Sequence, residues 1–285
     1  MKKSISIILC LAACTAAFTG CGNKDNTKIT VISREEGSGT RGAFVELMGI
    51  LEKDADGNEK DLTTTSAETS QSTSVVISTV TGNKNAIGYI SLGSLSSDVK
   101  AINVDGVAAS VETVKDGSYK VARPFMICTK DGVSDTAQDF IDFILSDEGQ
   151  KIISDDGYIS IDSNSTYTAS GLSGKVTLAG STSVAPVMDK IADAYMELNS
   201  DVTVEIQQSG SGAGITSTIE GACDIGMSSR ELKDEEIQQG LTPTQIAMDG
   251  IAVIVNKDNA VDNLTSEQIK NIFIGNVTDW NDING

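Results

Sequence analysis

The 285-residue chain contains no histidine. This absence excludes imidazole general bases, Ser-His and Cys-His nucleophile pairs, and metal sites built on imidazole. Aromatic residues make up only 4% of the chain and proline totals 3, whereas glycine totals 27. Stacking platforms for aromatic ligands are therefore not expected, and a ligand site should be built from backbone turns and helix starts.

Positive charge is also scarce. The chain has 21 Lys and Arg residues against 40 Asp and Glu residues, a formal net charge of -19. It therefore lacks the basic footprint of proteins that bind nucleic acid or an anionic membrane face. The length suits roughly two domains of ~150 residues, and any anion must be captured by local donors against the overall field.

Residues 1–20 are predicted to be a signal peptide. A basic head at Lys2 and Lys3 precedes an apolar run at 4–18, which is shorter than the ~20 residues of a membrane-spanning helix. Small residues stand directly before Cys21 and polar residues after it, as in a bacterial lipobox. Cys21 is therefore expected to carry a lipid that anchors the chain at the outer membrane surface, with residues 21–27 as a tether.

Two alternatives for this segment remain open: a lipobox at residues 11–14 and an ordinary secretory signal with Cys21 unmodified. Cysteines in the signal would leave with it, so the mature chain would keep Cys128 and Cys223 besides the lipidated residue. Two cysteines do not make a disulfide framework. They are expected to be buried free thiols, or one disulfide if they lie close together.

A strand, Gly/Ser turn and helix recur along the chain, with turns at residues 37–40, 179–183 and 209–214. The flanking strands are predicted at 28–33, 175–178 and 202–207, and the helices at 41–51, 186–198 and 215–220. Further predictions are an extended Ser/Thr stretch at 62–74, a strand at 88–91 and a helical face over 136–153. This alternation indicates an α/β fold with a parallel or mixed sheet, and 160–174 forms a polar linker.

A Gly/Ser turn that opens a helix offers free backbone N–H groups and the positive end of the helix dipole to an oxyanion. Arg34, just before the first turn, can add a bidentate contact. None of the turns matches a nucleotide-binding loop, and a single such turn is most often only a helix cap. Three turns together with Arg34 predict a site for a small tetrahedral oxyanion, if the turns converge.

Four segments carry a resemblance to a known family: ISREEGSGTRGAF (32–44), AGSTSVAP (179–186), QSGSGAGI (208–215) and CDIGMSSREL (223–232). They resemble the phosphate-binding lipoproteins of ABC-type phosphate importers, the PstS-like solute-binding family. Residues 28–159 resemble the second half of that family and 175–285 its first half. The order of the chain therefore looks circularly permuted, with 160–174 joining the old ends.

The resemblance implies a two-lobe type II periplasmic-binding-protein fold with a hinge. One lobe would be discontinuous, 28–122 plus 256–285, and the other continuous, 125–250. The hinge strands would lie near 123–129 and 251–256. If the linker does not reach within one chain, two chains could exchange halves.

Carried over residue by residue, the resemblance places phosphate contacts on Arg34, Ser38, Gly39, Thr40, Thr182, Ser183, Ser211 and Ser229. Ser183 is expected to act mainly through its backbone N–H. Ser229 is a departure, because the family carries there an Asp that accepts the phosphate proton. Glu36 could orient Arg34 or supply that acceptor, and Arg230 is read either as a ligand contact or as an ion pair with Glu231, Asp234 or Glu235.

The leading hypothesis is a lipid-anchored, extracytoplasmic protein that captures inorganic phosphate between two lobes for an ABC importer, without catalysis, cofactor or metal. A binding protein for sulfate, tungstate or molybdate is the main alternative. A phosphoesterase with Ser38 or Ser211 as nucleophile lacks an obvious base. A relic that binds only a protein partner is the fourth hypothesis.

Overall fold

A computed structural model describes residues 27–54, 59–163 and 165–283. The predicted signal peptide, its lipidation residue Cys21 and most of the tether lie outside the described residues. No helix of the described ranges is long and apolar enough to cross a membrane.

The strands of the described chain are mostly short, and two long ones link the halves of the molecule. They are β1 Thr30–Arg34, β2 Leu51–Lys53, β3 Glu59–Asp61, β4 Glu68–Ser70, β5 Ala86–Ser91, β6 Val99–Ala101, β7 Asn103–Val104, β8 Ala122–Lys130, β9 Ile159–Ser160, β10 Gly174–Gly180, β11 Val202–Gln208, β12 Ile225–Ser228, β13 Leu241–Asn256 and β14 Asn263–Leu264.

One mixed sheet runs through the molecule in the order β11-β10-β12-β8-β13-β5-β1-β4, with β6 and β9 also paired to β13. Strand β13 makes this continuity possible because its two halves pair with different strands of the main order. Its residues up to Gly250 pair antiparallel with β8, and those from Ile251 pair antiparallel with β5. The outer pairs β10–β11, β10–β12, β1–β4 and β1–β5 are parallel, as the alternating strands and helices predicted.

Helices pack on this sheet and several begin at its carboxyl-terminal strand ends. The α-helices are α1 Gly39–Leu47, α2 Thr73–Gly82, α3 Val111–Lys115, α4 Asp135–Leu145, α5 Asp147–Asp155, α6 Ala185–Leu198, α7 Ser211–Ile219, α8 Asp234–Ile237 and α9 Ser266–Phe273, with 3-10 turns at Leu92–Ser94 and Trp280–Asp282.

Three predicted helices were wrong in extent. The helix predicted over 215–220 begins earlier, at Ser211, within the predicted turn. The helix predicted over 41–51 ends at Leu47, because Gly49 takes a positive φ of 63° that stops it. The helix predicted over 136–153 is two helices joined at Ser146. The Ser146 hydroxyl donates to Phe143 O at 2.7 Å and accepts from Gly149 N at 3.2 Å, so one side chain ends α4 and caps α5.

Helix α2 was missed, because the stretch 62–74 was expected to be extended and the residues after it are mostly β-branched. Such residues have low helix propensity. The helix forms because Ser72 caps it, with Val75 N donating to Ser72 Oγ at 3.3 Å, and because Val76 and Val80 are fully buried. Tertiary burial therefore outweighs local propensity here.

The hydrophobic core separates into two lobes on either side of the β8–β13 crossing. The first lobe (residues 27–121 and 251–283) contains a large cluster that includes Phe44 and Tyr89, whose ring centroids lie 3.9 Å apart. The second lobe (123–249) contains a separate cluster around Phe140 and Tyr195. The lobe limits expected from the sequence stay a prediction, and these clusters are compatible with them to within the hinge residues.

The start and the end of the described chain lie side by side in the first lobe. Trp280 N donates to Thr27 O at 2.9 Å, and Thr27 Oγ1 donates to Asp279 Oδ2 at 2.8 Å. The linker expected at 160–174 runs without regular structure from 161 to 173 where it is described. Its Tyr167 is half-buried and donates to Asp139 Oδ2 at 2.7 Å, so the linker lies along the second lobe.

Candidate functional site

Four helix starts meet between the lobes: those of α1 and α2 from the first lobe and those of α6 and α7 from the second. Thr40 Oγ1 lies 2.8 Å from Ser183 Oγ. Thr73 Oγ1 lies 3.4 Å from both Thr182 Oγ1 and Ser183 Oγ. The convergence that the three Gly/Ser turns required is therefore present. We call the hydroxyl cluster the six buried side chains Thr40, Thr73, Thr182, Ser183, Ser211 and Ser229.

Gly39 lets the lobes approach closely. A Cβ at this position would lie 2.4 Å from Ser211 Oγ and 2.7 Å from Ser229 Oγ, both in the second lobe. Ser229 N donates to Ser211 Oγ at 3.2 Å, and the two hydroxyl oxygens lie 3.4 Å apart. A side chain at 39 would separate this hydroxyl pair from the first helix start.

Arg34 enters the cluster from the end of β1 and is almost fully buried, with 2% of its side chain exposed. Its Nη2 donates across the lobes to Thr182 Oγ1 at 3.1 Å, and its Nε donates to Ser70 O at 3.2 Å. Glu35 holds the guanidinium through both oxygens, at 2.8 and 2.9 Å. The expectation that Glu36 orients Arg34 is therefore wrong, since the neighbouring Glu35 does so and Glu36 is exposed.

Ser38 and Ser183 each form a hydrogen bond within the protein. Ser38 is the N-cap of α1, with Arg41 N donating to its hydroxyl at 3.3 Å, although it is also buried at the edge of the cluster. The backbone N–H of Ser183 donates to Ser181 Oγ at 3.2 Å. The hydroxyl of Ser183 lies in the cluster, and the expected contact of its N–H with phosphate stays a prediction.

Arg230, the residue after Ser229, forms an ion pair, but with a partner one residue beyond those anticipated. Its two terminal nitrogens donate to Glu236 at 2.7 and 2.9 Å. Burial raises the pKa of Glu236, but the bonds from Arg230 and from the N–H of Lys233 outweigh it and hold that pKa below its ordinary value. The pair fixes the loop that carries Ser229.

Several residues at the site escaped sequence reasoning: Glu35, Thr73, Arg123 and Asp249. Arg123 Nη1 donates to Thr40 Oγ1 at 3.1 Å, and Arg123 Nη2 donates to Asp249 Oδ2 at 3.0 Å. A usable signal existed for this pair, because each charge stands in an apolar, strand-like run, where an ionised group needs a partner. The signal for Thr73 was weaker, since it depended on recognising α2.

A cleft of about 870 Å³ opens between the lobes beside this cluster. Its walls come from both lobes, with Ser38 and Arg41 on one side and Gly212 and Lys233 on the other. Gly212 N donates to Gly37 O at 2.9 Å across the cleft. The six side chains of the hydroxyl cluster do not line this cleft, which borders the cluster through Ser38 and Arg123.

The two cysteines are buried free thiols in the second lobe. Burial raises the pKa of the Cys128 thiol to about 11, and burial likewise raises that of Cys223. A thiol with a raised pKa is a poor nucleophile, so neither residue adds chemistry to the site.

Comparison with known proteins defines the class of the molecule. Residues 16–148 and 165–285 match the model of a PBP superfamily domain, which agrees with two α/β lobes around a cleft. The chain is 51% identical over 271 residues to phosphate-binding protein PstS 2 of Streptococcus agalactiae, and the alignment covers 93% of this chain and 92% of the relative.

A solved relative has the same fold. The crystal structure of a phosphate-binding protein of a phosphate ABC transporter from Streptococcus pneumoniae TIGR4 is 49% identical, with a TM-score of 0.71 over 90% of this chain and 99% of that one. The PstS of Staphylococcus saprophyticus, in contrast, aligns over 118 residues at 40% identity, 39% of this chain and 37% of that protein. The chain belongs to the PBP superfamily and, within it, to the PstS phosphate-binding proteins.

Proposed function

We propose that the protein captures inorganic phosphate between its two lobes and delivers it to an ABC importer. The observation that carries this proposal is the hydroxyl cluster at four helix starts, with the buried Arg34 donating into it. Its streptococcal relatives are named as phosphate-binding proteins, which supports the same ligand. The eight residues carried over from the resemblance, with Ser229 among them, are the proposed contacts.

The physical argument concerns desolvation. An unpaired buried dianion would cost many kcal/mol, so each of its oxygens needs donors. Helix starts offer N–H groups and a positive dipole end, hydroxyls rotate to donate, and Arg34 adds a charge-assisted bond. With a formal net charge of -19, the protein must attract phosphate at this site through these local groups.

Arg34→Ala tests the site. We expect titration calorimetry of a soluble form starting at Gly22 to give one phosphate per chain, and Arg34→Ala to weaken binding at least tenfold, since about 1.4 kcal/mol corresponds to a factor of ten. Lys151→Ala is the control, because Lys151 is exposed and pairs only with Asp155 of its own helix among the ion pairs of the described residues. Equal affinities for all three proteins would remove Arg34 from the site.

A second candidate is a fully ionised oxyanion such as sulfate, tungstate or molybdate. This alternative rests on Ser229, which offers a hydroxyl and no carboxylate as proton acceptor. The carboxylates beside the cluster, Glu35 and Asp249, are paired with arginines. A hydroxyl can accept the proton of hydrogen phosphate or donate to sulfate. Competition between phosphate and sulfate at pH 6 and pH 8 separates the two, and sulfate that displaces phosphate at equal concentration would favour the alternative.

Binding without catalysis is part of the proposal. Ser38 Oγ caps α1, and Ser211 Oγ accepts from Ser229 N, so neither candidate nucleophile contacts a general base. Release of nitrophenol from nitrophenyl phosphate by the pure protein, abolished in Ser211→Ala, would contradict this view.

We further propose extracytoplasmic placement by a lipid on Cys21 and a circularly permuted order with lobes 28–122 plus 256–285 and 125–250. The partial alignment to the staphylococcal PstS supports the permutation, because an alignment in one order can match only one of two exchanged segments. Cys21→Ala should release the protein from membranes into the medium, and retention at the membrane would contradict the lipid anchor.

A further inference from the structure

A buried ion pair connects the two strands at which the chain crosses between the lobes. Arg123 lies on β8 and Asp249 lies opposite it on β13. Their side chains are only 2% and 1% exposed, and Arg123 Nη2 donates to Asp249 Oδ2 at 3.0 Å. Apolar residues of similar size often stabilise a fold as well as a buried ion pair does. Stability alone therefore does not explain why charges occupy these two positions.

The contacts of Arg123 supply one. Its Nη1 donates to Thr40 Oγ1 of the first lobe at 3.1 Å and to the backbone carbonyl of Ser229 in the second lobe at 2.6 Å. One guanidinium group therefore touches the proposed phosphate residues of both lobes. Its Nε is buried with no acceptor among the described residues, so donor capacity remains.

The arrangement of the two arginines is reciprocal. Arg34 of the first lobe donates to Thr182 of the second, and Arg123 of the second lobe donates to Thr40 of the first. Because guanidinium nitrogens only donate, each threonine oxygen accepts and its own proton is directed elsewhere. Each arginine is held by a carboxylate, Glu35 for Arg34 and Asp249 for Arg123.

Two like charges also share the site. Burial lowers the pKa of Arg123, the nearby Asp249 carboxylate raises it again, and the charge of Arg34 lowers it. Guanidinium groups nonetheless stay protonated in proteins. An anion bound beside both arginines would relieve their mutual repulsion.

We propose that Arg123, held by Asp249, is a second arginine of the anion site, which positions Thr40 and the Ser229 loop and adds positive potential when the lobes are together. This inference rests on the proposed function. It gives the ligand loops of both lobes a common anchor at the hinge, so that lobe closure and anion binding depend on the same ion pair.

The test removes the pair without leaving one charge buried. In the double variant Arg123→Met/Asp249→Leu, both charges are replaced by apolar groups of similar size, and the protein is expected to fold with a thermal midpoint near that of the parent. Phosphate binding by titration calorimetry is expected to weaken at least tenfold. Arg123→Lys keeps the charge but not the planar guanidinium, so the phosphate affinity of this variant should lie between that of the parent and that of the double variant.

Tyr119→Phe is the matched control at the same crossing. The buried Tyr119 hydroxyl donates to Ile251 O at 2.8 Å and contacts no proposed ligand residue, so its loss should lower the thermal midpoint and leave phosphate affinity unchanged. Parent-like affinity in a folded double variant or in Arg123→Lys would overturn the inference alone. If the double variant fails to fold, Arg123→Lys decides. A parent that does not bind phosphate overturns the proposed function together with this inference.

Discussion

At the scale of single residues, the closeness of the lobes depends on one position without a side chain. Gly39 is the first residue of α1, and a Cβ placed on it would lie 2.4 Å from Ser211 Oγ and 2.7 Å from Ser229 Oγ, both in the other lobe. These distances are far below a normal carbon–oxygen contact. A methyl group there opposes closure without disturbing the interior of either lobe.

Gly39→Ala is therefore expected to weaken phosphate binding at least tenfold while the unliganded protein stays as stable as the parent. Alanine also has the higher helix propensity, by at most the ~1 kcal/mol of a helix interior, so the change should not weaken α1. Gly82→Ala is the control, because Gly82 is also helical and a Cβ there meets nothing within 4 Å. Calorimetry and a thermal unfolding curve of each variant separate affinity from stability. Unchanged affinity in Gly39→Ala would show that the lobes need not approach this closely to hold the anion.

The proposed phosphate contacts could be predicted from the sequence more fully than the residues that position them. The eight residues predicted from the turns and the resemblance all lie at the cluster or its edge, because Gly/Ser turns at helix starts are local features. Glu35, Thr73 and the Arg123–Asp249 pair were missed. Their roles depend on contacts between distant segments, such as Arg123 with Asp249 on the opposite strand, and one sequence does not contain those distances.

At the scale of elements, the boundaries show the same division. The strands that flank the three turns and helix α6 were predicted close to their positions, whereas the periodic stretch 136–153 is split at Ser146 by a hydroxyl that ends one helix and caps the next. Helix α2 depends on the burial of Val76 and Val80. Side-chain caps and tertiary burial therefore decided the elements that periodicity did not.

The stability contributed by the short helix α8 and the loop before it should depend on pH. Glu236 accepts from Arg230 and from Lys233 N at 2.7 to 2.9 Å, and its pKa lies below its ordinary value of 4.5. A depressed folded-state pKa means stability that is present above the unfolded pKa and lost as the pH falls through the folded one. The contribution of Glu236 should therefore be complete at pH 7 and decline below about pH 4.5.

Glu236→Gln tests this contribution. At pH 7 we expect a loss in unfolding free energy on the order of 1 kcal/mol, because solvent partly screens the half-buried pair. At pH 3 the difference between variant and parent should shrink, because the unfolded chain then takes up a proton that the folded carboxylate, with its lowered pKa, binds less readily. Urea unfolding at both pH values measures it, and an equal loss at both would assign the effect to packing.

At the scale of the whole molecule, the two ends of the described chain lie side by side, at the point where an unpermuted chain would run on from residue 283 to residue 27. Trp280 N donates to Thr27 O, and Lys28 forms a β-bridge with Asp279. The linker at 161–173 instead spans the second lobe between β9 and β10. Both features follow if the segments of a two-lobed protein were exchanged in order without change of fold, because exposed loops tolerate new ends.

The last prediction reverses this order. A chain that starts at Ser170, continues through Ile283, is joined by a short Gly/Ser loop to Thr27 and ends at Ala169 should fold to the same structure. We expect its phosphate affinity to lie within about threefold of the parent, because the new ends fall in an exposed part of the linker, remote from the hydroxyl cluster. The matched control is a chain reopened between Thr177 and Leu178, inside strand β10, which should not fold because the cut breaks the parallel pairings with β11 and β12. Circular dichroism and calorimetry report the result. If the Ser170 design misfolds while the control behaves as expected, the prediction is wrong, and residues 161–173 are then an essential part of the second lobe. The bond from Tyr167 to Asp139 is the contact through which this segment would contribute to folding. The linker would in that case have become part of the fold after the segments were exchanged.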